Sequence, residues 1–522
     1  MFRRFKSFGY AISAALLLIG MVVAGTSFAK GLTTGGATTS PVKLNPGTMT
    51  THTASYAHTV DPSKISGGFK AATGSVKVAP TLPVTTKARL AAAAKASKVS
   101  RANAPIANAT LSGGTSSTSV NTPFQTKNFA GLSNTCNPGL NNNFVFQPSD
   151  LAVAASSSWV VEAVNNCIAV YTTSGTLQTG WPKSPDTFFG VPNLGACQAL
   201  GSGFPFMSDP RAAYDPNTGK FYLQWLEAEG VFGIDSCAPH SFVWQAVSNS
   251  SDPRSSWTVH GYNVSDNFNG TATAGDYDTL GFDSQGLYFA VNEFDAATGT
   301  SFLGSDYCGV PKANLGILAC GHNPTVTGSR TISVDTMQPV MTETRSYGPR
   351  AEYIVNTYNI EGDPFSSDCF SSSCTGLVVW AFTNLANWAA GGSSPHVSGT
   401  VLGNTKTYIG PPAANDPACS SCVETLDTRI SGTPVYSAGE IWAAWATGIV
   451  NFQSTLVAGV LWTQSRAELT DNNSGICPGA NDICPDVSTS YQLMGYYFFE
   501  PNDQSAYFPA LMTDSESNLF MT

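Results

Sequence analysis

Six residues, set at the starts of repeated strand-like segments, hold the clearest chemistry in this sequence: Asp209, Arg211, Asp276, Asp278, Asp427 and Arg429. Each segment runs from an acid through a short apolar stretch and a tight polar turn into an aromatic-rich stretch. If the stretches are strands whose beginnings converge, carboxylates and guanidiniums meet at one mouth. Such a mixed cluster suits a sugar, a carboxylate group or a Ca²⁺ ion, which takes about six to eight oxygen ligands. Glycoside hydrolysis asks for two carboxylates about 5–5.5 Å apart for retention, or about 6.5–9.5 Å for inversion. The structural alternative is that each acid pairs with an arginine of a neighbouring repeat or caps backbone amides, which is what repeated signatures usually encode.

No catalytic residue can be assigned from the sequence. The histidines, His52, His58, His240, His260, His322 and His396, are scattered, so neither H-E-x-x-H nor a clustered metal site is expected. There is no G-x-S-x-G elbow, P-loop or Rossmann glycine pattern. A sialidase would need three arginines around a carboxylate. Arg211, Arg350 and Arg429 offer the number, but no Tyr-Glu couple accompanies them. Trp181, Trp225, Trp244, Trp380, Trp442, Trp445 and Trp462 could stack on sugars, yet most sit in alternating strands where packing is the expected role.

The elements that must position these residues follow from an internal repeat. Asp209-PRAAYDPNTGKFYLQW, Asp278-TLGFDSQGLYFAVN and Asp427-TRISGTPVYSAGEIWAAW share one grammar, and AYFPALMTDSESNLFMT from Ala506 follows it less completely. Further copies begin at Asp150 and, more divergently, at Met337. The turns Asp215–Gly219, Asp283–Gly286 and Ser437–Gly439 have hairpin chemistry. Starts at 150, 209, 278, 337, 427 and about 505 leave room for one four-stranded sheet per repeat. Radial arrangement of such sheets leaves only short, protected edges. The expected fold is therefore all-β, a β-propeller of about six four-stranded blades over residues 126–522.

Ser250-Ser-Asp252-Pro-Arg254-Ser-Ser256-Trp257 resembles the Asp-box turn of sialidase-like propellers, with Arg254 in place of the glycine and Ser256 in place of the threonine. Thr383-Asn-Leu-Ala-Asn-Trp388 is a weaker echo. Asp209-Pro-Arg211, Tyr214-Asp215, Gly219-Lys220-Phe221, Asp427-Thr-Arg429-Ile430 and Gly439-Glu-Ile-Trp442 also resemble the motifs of a group of exported bacterial propellers of undefined activity. That resemblance covers about 370 residues, and it implies a fold rather than a chemistry. Members of the group continue beyond the equivalent of Leu519–Thr522, so the sixth sheet is expected to be incomplete. Strands near Asn128–Gln147, a partner chain or a truncated gene would each account for it.

The N-terminus reads as export machinery. Arg3, Arg4 and Lys6 precede an apolar stretch from Ala11 to about Gly25, and Ser27-Phe28-Ala29 ends it like a cleavage site. An uncleaved anchor is the alternative reading of Gly9–Ala29. Residues 30–125 hold ten Lys/Arg against Asp61, a net +9, and are rich in Thr, Ala, Ser and Gly. They are expected to form a disordered basic stalk, with a marginal helix over 86–102. With +3 in the signal, the whole-chain −10 leaves −22 for residues 126–522. An acidic body argues against nucleic acid as a partner. The stalk could meet anionic envelope polymer, though a solvated spacer is the simpler reading.

Twelve cysteines all lie beyond the stalk: Cys136, Cys167, Cys197, Cys237, Cys308, Cys320, Cys369, Cys374, Cys419, Cys422, Cys477 and Cys484. Their even number and close couples predict six local disulfides and an oxidising, extracellular or cell-surface location. Cys419-Ser-Ser-Cys422 lies in a Pro/Ala/Ser loop, which favours a structural bridge over redox or zinc chemistry. The leading functional expectation is a secreted recognition or scaffold module that binds carbohydrate, without a resident cofactor. The alternative is a carbohydrate-active hydrolase or lyase using the mouth acids, favoured if two of Asp209, Asp278 and Asp427 lie close together in an open pocket with one raised pKa.

Overall fold

A computed structural model of the chain describes residues 42–45, 49–68, 77–78, 127–136, 144–145, 149–192, 205–231, 239–268, 270–299, 301–322, 325–326, 336–342, 351–358, 369, 373–403, 405–416, 419–451, 454–470, 486–498, 504–514 and 516–522. All belong to one of the chain's two compact units, Pro41–Ala107 with Pro123–Thr522. The signal, the 86–102 segment, Arg350 and Cys197, Cys237, Cys477 and Cys484 lie outside the described residues.

Antiparallel meanders succeed one another along the chain. Blade 1 comprises Ala152–Ala155, Trp159–Val164 and Cys167–Thr172, and Lys183 bridges to Ile168 at its edge. Blade 2 comprises Met207–Asp215, Lys220–Glu229, His240–Ser248 and Trp257–Asn263. In blade 3 a broken inner strand, Thr271–Asp276 and Gly281–Phe282, precedes Gly286–Asp295, Phe302–Pro311 and Ile317–His322. Blade 4 runs Gln338–Pro339, Glu352–Thr357, Leu377–Thr383 and His396–Leu402. Blade 5 runs Val435–Ser437, Glu440–Val450, Leu456–Thr470 and Asp486–Tyr497. Leu511–Thr513 and Leu519–Met521 form a last two-stranded hairpin. Among the described residues, Phe144–Val145 pairs with Lys77–Val78 rather than with this hairpin.

The sheets stand face to face in chain order, which makes the fold a β-propeller. Trp225, Trp244 and Trp257 of blade 2 share a core with Val161 and Ile168 of blade 1. Tyr222 and Val243 of blade 2 meet Leu287 and Phe289 of blade 3. Tyr288 and Tyr307 of blade 3 meet Trp380 and Phe382 of blade 4, and Val355 and Val379 meet Ile441 and Trp445 of blade 5. Middle strands are therefore buried on both faces, which is why Leu377–Phe382 reads as a continuous apolar run rather than an alternation. At the inner edge, Met341–Thr342 pairs in parallel with Phe282 of blade 3 and with Val435–Tyr436 of blade 5.

One packing device recurs. In four blades an aromatic side chain on the third strand lies directly opposite a glycine on the fourth: Trp244 and Gly261, Tyr307 and Gly321, Trp380 and Gly399, Trp462 and Gly495. A Cβ at Gly399 would meet Trp380 at 2.2 Å, and one at Gly321 would meet the Tyr307 hydroxyl at 2.1 Å. Glycine here makes room for a ring and is not a strand breaker.

The stalk expectation requires correction. Part of it forms a belt around the rim. Val42–Asn45 pairs with the outer strand of blade 4, Thr50–Thr53 with that of blade 3 and Tyr56–Val60 with that of blade 2. Beyond a 3₁₀ turn capped by Asp61, Ile65 O accepts from Lys183 Nζ (2.6 Å) and the Gly68 amide donates to Pro182 O (3.0 Å) at blade 1. Edge pairing uses main-chain groups that any residue supplies, so a Thr- and Ala-rich segment serves. Its main ring anchor is Tyr56, which lies opposite Gly261 and stacks on Trp244 at 5.2 Å.

Three of the expected disulfides are present: Cys136–Cys167, Cys308–Cys320 and Cys369–Cys374. Cys419–Val423 is one arm of a hairpin with Ala414–Asp416, away from any strand-to-helix junction.

Tyr56→Ala removes the stacked pair and part of its buried ring area, a loss of about 2 kcal/mol. It should lower the thermal midpoint by a few degrees and raise hydrogen exchange in Thr50–Val60. An unchanged exchange pattern would show that the belt is not held this way.

Candidate functional site

The repeat is written in the backbone beside or within each inner strand. Asp150, Asp209, Tyr277, Thr336, Leu426 and Phe508 all adopt left-handed conformations, with φ between 47° and 60°. Aspartate tolerates this region. Tyrosine, threonine, leucine and phenylalanine do so at a cost on the order of 1–3 kcal/mol each, and persist only where the surroundings over-determine them. Two of the fixings reach across blades. The Asp209 amide donates to Asn165 Oδ1 of blade 1 (2.8 Å), and the Thr336 amide to Asn292 Oδ1 of blade 3 (2.7 Å). The Tyr277 amide donates to Asp276 Oδ1 (2.8 Å).

This register corrects the expectation that the signature acids are equivalent. Asp150 and Asp209 occupy the left-handed position, whereas Asp278 and Asp427 follow it by one residue. The two positions differ in exposure. Asp150, Asp209 and Tyr277 are half-buried, while Asp278 is sealed and Asp427 nearly so. A bulge in the pairing of Met207–Asp215, between Gln224 and Leu226, accompanies the offset in blade 2.

Five of the charged groups converge. Arg211 Nε donates to Asp278 O (2.8 Å) and lies 4.0 Å from Asp278 Oδ1. Gln224 Nε2 donates to Asp278 Oδ2 (2.6 Å). Asn165 Nδ2 donates to Asp150 Oδ2 (2.9 Å). Asp427 and Arg429 are spent on each other, with Nε to Oδ1 at 2.8 Å and a second contact at 2.6 Å. They touch the cluster through Tyr277, whose ring has the Arg429 guanidinium at 4.8 Å and that of Arg211 at 5.3 Å. Six scattered candidates thus resolve into one cluster, Asp209, Arg211, Asp276 and Asp278, of which Asp209 and Arg211 are partly exposed, and a closed pair. Asp150, Tyr277, Gln224 and Asn165 were not selected from sequence. The recurring Val-Asn of second strands, Val164-Asn165 where blade 1's strand ends and Val291-Asn292 within blade 3's, was the available signal.

Electrostatics separates the acids. Burial, then the charges of Asp150, Asp276 and Asp278, hold Asp209 well above the usual carboxylate range, and Arg211 only partly offsets them. Burial pushes Asp278 up to about 6 against the pull of Arg211 and Gln224. Asp150 is also raised by burial, but Asn165 and Arg211 favour its ionised form. The cluster is built round a guanidinium, the cation that a Ca²⁺ ion would otherwise supply.

A second group lies at the rim of blade 3, contrary to the expectation of no clustered metal ligands. Asp266, Asp306 and His322 bring their donor atoms within 4.8 Å of one another.

No family model matches the sequence, and no curated protein matches it. Solved structures with some likeness include a xylan β-1,4-xylosidase from Bacillus halodurans C-125, 11% identical over 62% of this chain and 53% of that one, with a TM-score of 0.28. They also include an α-L-arabinofuranosidase from Lactobacillus brevis (10%, 70% and 94%, TM-score 0.25) and an arabinanase from Bacillus subtilis (13%, 66% and 93%, TM-score 0.23). The chain spans about half of the xylosidase. Likeness this slight carries no argument, and the propeller rests on the chain's own sheets. Nor does it extend to the Asp-box type. The turn at 250–257 is locally ordered, with an Asp252–Arg254 ion pair (2.7 Å) and Trp257 Nε1 donating to Pro253 O (2.8 Å), but it identifies a hairpin and not a family.

A carboxyl whose folded pKa is raised stabilises the fold at low pH and loses that contribution as pH climbs. For Asp278 the loss runs from about pH 4 to about pH 6 and amounts to about 3 kcal/mol. Asp278→Asn should therefore flatten the fall in melting temperature between pH 4 and 7. Parallel curves for the two proteins would contradict the assignment.

Proposed function

We propose that the axial mouth is the active site of a carbohydrate-active hydrolase working outside the cell. The observation that carries this reading is a half-buried Asp209, whose carboxyl is held well above the usual range by burial and by the neighbouring acids, beside Asp150, whose rise through burial is opposed by Asn165 and Arg211. Two carboxyl groups whose environments drive their protonation apart are what acid-assisted cleavage of a glycosidic bond requires. Asp209 gives its proton to the departing sugar oxygen. Asp150 either attacks the anomeric carbon or takes a proton from the attacking water, according to the separation of the two groups around a bound sugar. Arg211 orients hydroxyl oxygens and limits the charge on the cluster. Asp278, sealed and held by Gln224, positions Arg211 and does not touch the sugar.

Recognition without turnover is the second reading, favoured by the closed Asp427–Arg429 pair, which leaves part of the mouth with no free acid. Either way the partner is a glycan or envelope polymer rather than nucleic acid. The three disulfides suit an oxidising exterior.

The full chain, made in an oxidising host, should be assayed on aryl glycosides and on plant and microbial polysaccharides. Asp209→Asn should lower kcat about 10²- to 10⁴-fold with little change in KM, and should remove the alkaline limb of the pH profile. Glycan binding without turnover, unaltered by Asp209→Asn, would favour recognition and overturn the hydrolase.

A further inference from the structure

The rim of blade 3 gathers carboxyl groups and an imidazole at a cavity mouth. A cavity of about 580 Å³ lies where Thr50–Ser55 of the belt passes from blade 3 to blade 2, and Asp266, Asp306 and His322 line it. Asp306 and His322 are direct cross-strand partners, with the Asp306 carboxylate against Nδ1 of the ring. Asp266 comes from the chain leaving blade 2, and its amide donates to Thr273 Oγ1 (3.0 Å).

A third carboxylate points the same way. Glu293 pairs with Gly304, and residues opposite one another, or two apart on a strand, share a face. Glu293 therefore lies on the face of Asp306, with no side chain at Gly304 to separate them. Glu293 is fully buried, and neither carboxylate oxygen completes a hydrogen bond of good geometry, although the Thr273 hydroxyl is near. Nε2 of His322 is also without a partner. Among the described residues no lysine or arginine pairs with these acids. Among the described residues, the basic groups beside Asp306 are the imidazoles of His322 and the belt's His52. An isolated buried carboxylate is costly unless it is paired or serves a metal.

The geometry points to a binding site for one divalent transition-metal ion, held by Asp266, Asp306 and His322 with Glu293 behind them. Mixed imidazole and carboxylate donors suit Zn²⁺ or Mn²⁺, whereas Ca²⁺ prefers oxygen alone. The site is separate from the axial mouth, and it joins two blades and faces the belt, so a bound ion would fasten the rim.

The full chain, stripped with a chelator, should be titrated calorimetrically with Zn²⁺ and, separately, with Mn²⁺. One equivalent of at least one ion should bind and raise the melting temperature by several degrees. Asp266→Asn, at an exposed position that leaves the fold intact, and His322→Gln should each weaken binding at least about 10-fold. His396→Gln should leave it unchanged. Absence of saturable binding, binding that survives both variants, or Ca²⁺ binding as tightly as the transition metals would overturn the assignment.

Discussion

Inner strands that gather around one axis crowd their residues together, and this chain answers with a left-handed residue at or near each of them. The conformation is costly for Tyr277, Thr336, Leu426 and Phe508, so its recurrence measures how strongly the neighbouring blades impose it. Asn165 and Asn292 show how this is done, because one follows blade 1's second strand, the other lies within blade 3's, and each receives the left-handed amide of the next blade. The same turn decides which side chain faces solvent and which is sealed. Asp150 and Asp209 are presented at the mouth, and the residues after the turn in blades 3 and 5, Asp278 and Asp427, become supports.

The rim is held by different physics. Aromatic rings cover cross-strand glycines in four blades, which lets the fourth strand approach closely and leaves its outer edge free to pair. An unpaired outer edge is a site for unwanted association. The belt from Val42 to Val60 occupies three such edges in succession, and Tyr56 sets its register over Gly261. Centre and rim thus divide the labour. Backbone strain is concentrated on the axis, while main-chain pairing and ring packing tie the blades together outside it.

The hairpin turns were legible because their chemistry is local. Asp215 caps the Asn217 amide and Asp283 the Gln285 amide, as side chains of that type do at turns. Succession of blades was legible because each repeat carries the same apolar and aromatic order. The register of the acids was not, since a one-residue offset between Asp209 and Asp278 depends on backbone conformation rather than on residue type. Nor was the belt. The stretch THTASYAHTV has few large apolar residues, and a strand added to an edge needs almost none. Asp266, Asp306 and His322 were missed because strands bring together residues that the sequence leaves 40 and 16 positions apart.

A neutral Asp209 at physiological pH is the claim on which the functional account turns, and infrared spectroscopy reads it without assuming a substrate. The difference spectrum between the wild-type chain and Asp209→Asn at pH 7 should contain the carbonyl stretch of a protonated carboxylic acid, lost in the variant and shifted by exchange into D₂O. If the difference shows instead the loss of a carboxylate pair of bands, Asp209 is ionised, and the acid that the axial mouth is proposed to supply does not exist.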